Sequence, residues 1–137
     1  MQNSAILLSG ANHHWPENRE FINNPKDGIV TASEVSNLDL ENTKLVILSA
    51  CDTGLGKVYS KEGVFGLQRA FKIAGVDHVI SSLWKVNDEA SKDLMCAFKF
   101  NLLHKKQDPA LALKNAKFQL REDGYDPVDW AAYILTE

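Results

Sequence analysis

This chain has no extended Lys/Arg run, only two cysteines and no long apolar stretch, and each shortage excludes something. Without a basic run, and with a net charge of −3, it has little with which to neutralise phosphates, so no nucleic-acid partner is expected. Cys51 and Cys96 cannot form a multi-disulfide framework, and they match neither CxxC spacing nor a zinc site. His13 and His14 are adjacent but have no further ligands nearby, so they read as a solvated loop pair and no metal is expected. No apolar run approaches the roughly 20 residues needed to span a bilayer. The start, MQNSAILLSGANHH, lacks the cationic and apolar regions of a signal peptide, so a cytoplasmic location without a membrane partner is expected. The loop GLGKVYSKEG fails the phosphate-loop pattern GxxxxGK[ST], because Val58 follows Gly56-Lys57, and no cofactor is expected.

What is present is an ordinary globular composition, 45% hydrophobic and 24% charged, at a length suited to one domain covering residues 1–137 or to the greater part of one. AILLSG (5–10) reads as a short strand, followed by an Asn- and Pro-rich loop. Thr31 with Glu34 three residues later forms a capping-box pattern before a short helix whose apolar contacts are Val35 and Leu38. KLVILSA (44–50) is a continuous apolar run, as expected for a parallel strand covered on both faces. Val64, Leu67, Phe71 and Ala74 fall at helical spacing, with Gly75 as the stop. VDHVISSLW (76–84) is a second buried strand. Leu94, Ala97, Phe98 and Leu102 mark one face of the next helix; Cys96, beside Met95, reads as core or inert. Asp108-Pro109 opens a further helix carrying Leu113, Ala116 and Leu120, and WAAYIL (130–135) reads as a closing strand. The order predicts an α/β fold, a mostly parallel sheet flanked by helices.

In open α/β sheets, reactive groups collect beyond the C-terminal ends of the strands. The stretch LVILSACDTG sets Cys51 at such an end, and Ser81, Ser82 and Trp84 stand at the end of the second strand with Asp88 just beyond. A free thiol has a pKa near 8.5 and needs an activating partner, usually histidine. His78 lies within a strand and His104 at a helix end, which leaves His13 and His14 as the histidines with a conceivable reach. On residues alone, Cys51 is either a nucleophile or a small buried strand-end residue. Asp52 would hinder ionisation of a neighbouring thiol, so it makes more sense directed into a pocket for a basic substrate group.

AILLSGAN, then DGIVTASEVSNLDLENTKLVILSACDTGLG, EGVFGLQRAFKIAGVDHVISSLWKVND and DPVDWAAYIL, resemble the CHAT domain. The resemblance covers nearly the whole chain and rests on Ser-Ala-Cys-x-Thr-Gly, Glu-Gly-Val-x-Gly-Leu, Ser-Leu-Trp-x-Val and the final Trp-Ala. It implies a caspase-haemoglobinase-like fold and a caspase-like cysteine peptidase, of a kind commonly found behind tetratricopeptide repeats in bacterial proteins. Cys51 would be the nucleophile, Asp52, Ser82, Trp84 and Asp88 would line substrate subsites, and the partner would be a protein or peptide substrate.

Two departures stand out. Asp52 replaces the family's usual Glu, and the family's His-x-x-x-His-Gly segment belongs upstream of AILLSG. The chain thus resembles the C-terminal two-thirds or so of a CHAT domain, lacking the N-terminal strand or strands and the histidine of the Cys-His dyad, and is expected to be inactive alone. Three readings remain open: part of a larger peptidase; a non-catalytic interaction or scaffolding module; or a half-site completed by another chain. An unpaired sheet edge would favour pairing with a partner chain or a second copy.

Overall fold

A computed structural model of the protein describes residues 5–9, 28–48 and 62–137. Two short strands, β1 (Ala5–Leu7) and β2 (Ile29–Thr31), form an antiparallel ribbon in which Ala5 faces Thr31 and Leu7 faces Ile29. The β-branched triplet Ile-Val-Thr suits a pleated strand, a role not anticipated from the sequence. Thr31 then begins α1 (Ala32–Ser36) with the predicted capping box. Its Oγ1 accepts from the Glu34 amide at 3.2 Å while Glu34 Oε2 accepts from the Thr31 amide at 2.8 Å. The helix stops at Ser36, which leaves Leu38 exposed rather than in the expected apolar contact.

The main sheet has the order β3 (Leu45–Leu48), β4 (His78–Ser82), β5 (Tyr133–Thr136). Among the described residues one helix, α2 (Glu62–Ile73), lies between β3 and β4; between β4 and β5 run α3 (Asp88–Leu103), α4 (Pro109–Glu122) and the single turn α5 (Pro127–Trp130). The number of long helical passes sets strand direction. One pass returns the chain to the starting end, so β3 and β4 are parallel, with Leu45 opposite His78 and Leu48 opposite Ser81. Two passes of similar length, roughly 24 and 21 Å at 1.5 Å per residue, deliver the chain to the opposite end. Accordingly β5 is antiparallel to β4, with Ser82 opposite Tyr133. The fold is mixed α/β, and among the described strands the main sheet has one parallel and one antiparallel pair, where a mostly parallel sheet was expected.

Register partners share a face of the sheet. Ile47, Ile80 and Leu135 are aligned and pack with Leu94, Phe98, Leu113, Ala116 and Leu120 from α3 and α4. On the other face Gln68 of α2 meets Ser81, and α1 packs on α2 through Ala32, Val35 and Ala70. β4 is buried from Val79 to Ser82, whereas β3 is half-buried throughout. The sequence suggested full cover for β3; it lies at the outer edge of the described sheet, which explains the difference. WAAYIL also divides differently: Asp126-Pro127 starts a helical turn that ends at Trp130, and the strand begins only at Tyr133.

The α2 and α4 helices end in the same way. The Gly75 amide donates to the Lys72 carbonyl and the Val76 amide to the Phe71 carbonyl; Gly124 and Tyr125 repeat the pattern on Arg121 and Leu120. Both glycines are left-handed, φ 102° at Gly75 and 90° at Gly124. Their surroundings differ: a Cβ at Gly75 would come within 2.8 Å of Glu41 Cγ and 3.0 Å of its backbone, but one at Gly124 would meet nothing within 4 Å. Gly124→Ala should therefore cost about 1–2 kcal/mol of backbone strain, and Gly75→Ala clearly more, as read from denaturant midpoints.

Candidate functional site at the ends of β3 and β4

The parallel pairing of β3 and β4 brings two strand ends together, with Leu48 beside Ser81. Cys51 and Asp52 follow β3 in the sequence and lie outside the described residues. From β4 onward the chain is described without interruption.

Ser81 and Ser82 are both buried and, by strand alternation, point to opposite faces. The Ser81 hydroxyl accepts a hydrogen bond from Gln68 Nε2, a buried contact that ties α2 to the end of β4. Ser82 shares the face of Ile80 and Tyr133, so its side chain is enclosed rather than presented to solvent. Beyond it the chain surfaces. The Leu83 amide donates to the Ala132 carbonyl at 2.9 Å, and both Leu83 and Trp84 are 41% exposed. Trp84 is nonetheless fixed, because its Nε1 donates to the Val128 carbonyl of α5 at 2.8 Å. This bond leaves the edge of the indole anchored and much of its surface accessible.

Asp88 is exposed in the first turn of α3. Asn87 caps that helix, its Oδ1 accepting from the Glu89 amide at 2.8 Å. A carboxylate here is favoured by the unsatisfied amides and dipole of the helix start, which is a sufficient reason for Asp88 in itself. The strand end thus presents an accessible aromatic surface and an accessible carboxylate on one connection, while Ser82 is inside.

The described histidines are elsewhere. His78 begins β4, at the other end of the strand, and its Nδ1 is buried without a hydrogen-bond partner among the described residues. His104 caps α3 at its C-terminus and stacks on Phe100 with ring centroids 5.1 Å apart. His13 and His14 lie outside the described residues. Cys96 is a free, exposed thiol, not a core residue: it falls off the stripe of Ala90, Leu94, Ala97, Phe98 and Asn101 that α3 buries. Gln68 is the site-adjacent residue that the sequence reading passed over. A polar side chain four residues after Val64 and three before Phe71, inside a helix's apolar stripe, was the available signal.

Among protein families, the model of the CHAT domain matches residues 1–136. The chain belongs to the CHAT-domain family. It is 36% identical over 108 residues to human tetratricopeptide repeat protein 28 and 33% identical over 108 residues to the mouse protein. In each case the match covers 78% of this CHAT chain and 4% of the much longer relative. The mammalian relatives carry the tetratricopeptide name that the motifs led one to expect, though in animals rather than bacteria. Among the described residues no helix is long and apolar enough to cross a membrane.

The Gln68–Ser81 contact makes a specific stability prediction. Ser81→Ala leaves a buried amide without its acceptor and should cost about 1–3 kcal/mol. Adding Gln68→Leu should recover part of that loss in a double-mutant cycle measured by denaturant unfolding.

Proposed function

We propose that this chain is part of a caspase-like cysteine peptidase, with Cys51 as nucleophile and a histidine supplied from outside these 137 residues. What carries the reading is Cys51 in the family motif Ser-Ala-Cys-x-Thr-Gly, three residues after a strand whose last described residue pairs beside Ser81. In the intact site the histidine takes the thiol proton and the thiolate adds to the peptide carbonyl. Backbone amides stabilise the oxyanion. Collapse breaks the C–N bond, the imidazolium returns the proton to the leaving amine, and water then hydrolyses the thioester. Trp84, Asp52 and Asp88 belong to the substrate groove in this reading, the carboxylates favouring a basic residue before the scissile bond, while the enclosed Ser82 supports the strand end from beneath rather than lining a subsite.

The caspase-like arrangement is part of the same proposal. It is supported by the parallel β3–α2–β4 unit and by the half-buried state of β3, whose outer edge pairs with no described strand. Such an edge suits a strand from elsewhere in the same protein, from a partner or from a second copy. A second reading, a non-catalytic interaction module attached to tetratricopeptide repeats, is favoured by the placement of His78 and His104 away from the C-terminal ends of β3 and β4 and by the relatives' repeat-based name.

The pH dependence of alkylation at Cys51, followed by mass spectrometry, tests these readings, with the exposed thiol of Cys96 as internal control. In this chain alone Cys51 should titrate like an ordinary thiol, near pH 8.5; in the full-length protein it should react well below pH 7. Ordinary behaviour in both leaves the interaction module. Early reactivity in the isolated chain would overturn the external histidine and direct attention to His13 and His14.

For specificity, matched peptides with Arg or Leu before the scissile bond should be cleaved at unequal rates by the full-length enzyme, Arg faster. Asp88→Asn should narrow the ratio by several-fold. Equal rates would remove the carboxylate subsite.

A further inference from the structure

One side of α4 is committed to the core through Ala112, Leu113, Ala116 and Leu120. Next to it runs a second stripe. Ala110, Leu113, Lys114, Lys117, Phe118 and Arg121 recur at steps of three and four and so share a helix face. With Trp130, Leu135 and Glu137 they enclose a groove of about 610 Å³ along the seam between α4 and β5.

The charges in this groove are out of balance. Three cations line it against one acidic side chain, Glu137. No described carboxylate lies within ion-pair distance of any of the three; the two described salt bridges are Lys44–Asp77 and Lys92–Asp93. Lys114 has a weak partner in the Phe118 ring, 5.9 Å from its Nζ to the centroid. Lys117 is half-buried, and loss of hydration lowers its pKa from the ordinary value. A cation that gives up water without gaining a counter-charge carries an uncompensated cost, which an anionic group from outside would offset. The apolar part matters equally: Phe118 is exposed, and Trp130 and Leu135 are only partly covered.

We propose that the α4–β5 groove binds an acidic peptide segment of a partner protein, its carboxylates on Lys117 and Arg121 and one apolar side chain between Phe118, Trp130 and Leu135. The scale fits. Lys114 to Arg121 covers roughly 10 Å of helix, the reach of about three residues of extended peptide. The guanidinium of Arg121 is suited to bidentate pairing with a carboxylate. A nucleic acid fits less well, since it gains affinity by neutralising many phosphates and this protein carries a net charge of −3. The groove stands apart from the proposed peptidase chemistry, and neither depends on the other. They do adjoin: α5 supplies both the Val128 carbonyl that holds Trp84 and the Trp130 ring that lines the groove.

The test uses a fluorescein-labelled peptide with glutamates flanking one phenylalanine, together with its glutamine counterpart, in anisotropy titrations of the whole protein. The glutamate peptide should bind, the glutamine peptide should bind at least tenfold more weakly, and added salt should weaken the complex. Lys117→Gln and Arg121→Gln should each reduce affinity about tenfold, while Lys99→Gln on the exposed surface of α3 should not. Circular dichroism checks that each variant is folded, and the exposed Arg121 provides a fair test if Lys117→Gln is not. Bound peptide should also protect Lys117, and not Lys92 or Lys99, from acetylation by acetic anhydride. Absence of binding, equal binding of the glutamine peptide, or affinity indifferent to both substitutions overturns the proposal. So does tighter binding of an oligothymidylate through the same two residues, which would make the groove a nucleic-acid site. Self-association abolished by Arg121→Gln would instead assign it to a second copy of the chain.

Discussion

Burial of β4 on both faces is the constraint on which the other elements depend. Ile80 belongs to the apolar layer of α3 and α4, while its neighbour Ser81 meets Gln68 of α2 on the opposite face. A slip of one residue would exchange these environments, turning a hydroxyl into the apolar cluster and leaving the Gln68 amide against isoleucine. The register with β3 and β5 is therefore held by two chemically different surfaces. Since register decides where strands end, the same constraint fixes the relation of Leu48 to Ser81 and of Ser82 to Tyr133.

The helices then distribute function along the sheet. A single crossover between β3 and β4 puts both C-terminal strand ends at one edge, the arrangement that gathers binding groups in α/β proteins. The α3–α4 pair brings the chain back to that edge, so α5 meets Trp84 there and β5 departs in the reverse direction. The geometry that makes the sheet mixed also lays β5 alongside α4 and forms the cationic groove. Candidate site and groove are two consequences of one path of the chain.

Local features were legible because their causes are local. Thr31 and Glu34 form their capping box from residues three apart, and Asp108 caps α4 through the Leu111 amide, also three residues on. The core stripes of α3 and α4 follow from helical spacing, and the CHAT motifs named the family. Readings that depended on distant neighbours fared less well. Leu38 and Cys96 are apolar in type but exposed, because no element among the described residues covers them. Trp130 looked like the start of a strand when it closes a helical turn. Lys114, Lys117 and Arg121 form no run in the sequence, yet they make a stripe once α4 is wound and β5 is set beside it.

The sequence by itself determined helices α1 to α4, the starts of α1 and α4 at Thr31 and Asp108, the stop of α2 at Gly75, the two strands of the parallel pair and the membership of the CHAT family. Those depend on spacing and on chemistry within a few residues. Tertiary structure alone decided that β4 is central and β3 only half-buried, that Ser82 is enclosed while Trp84 is anchored with its surface accessible, and that three scattered cations share a groove. Each of these turns on which surfaces meet across long stretches of chain, and contact between distant segments removes water in a way that no local pattern specifies.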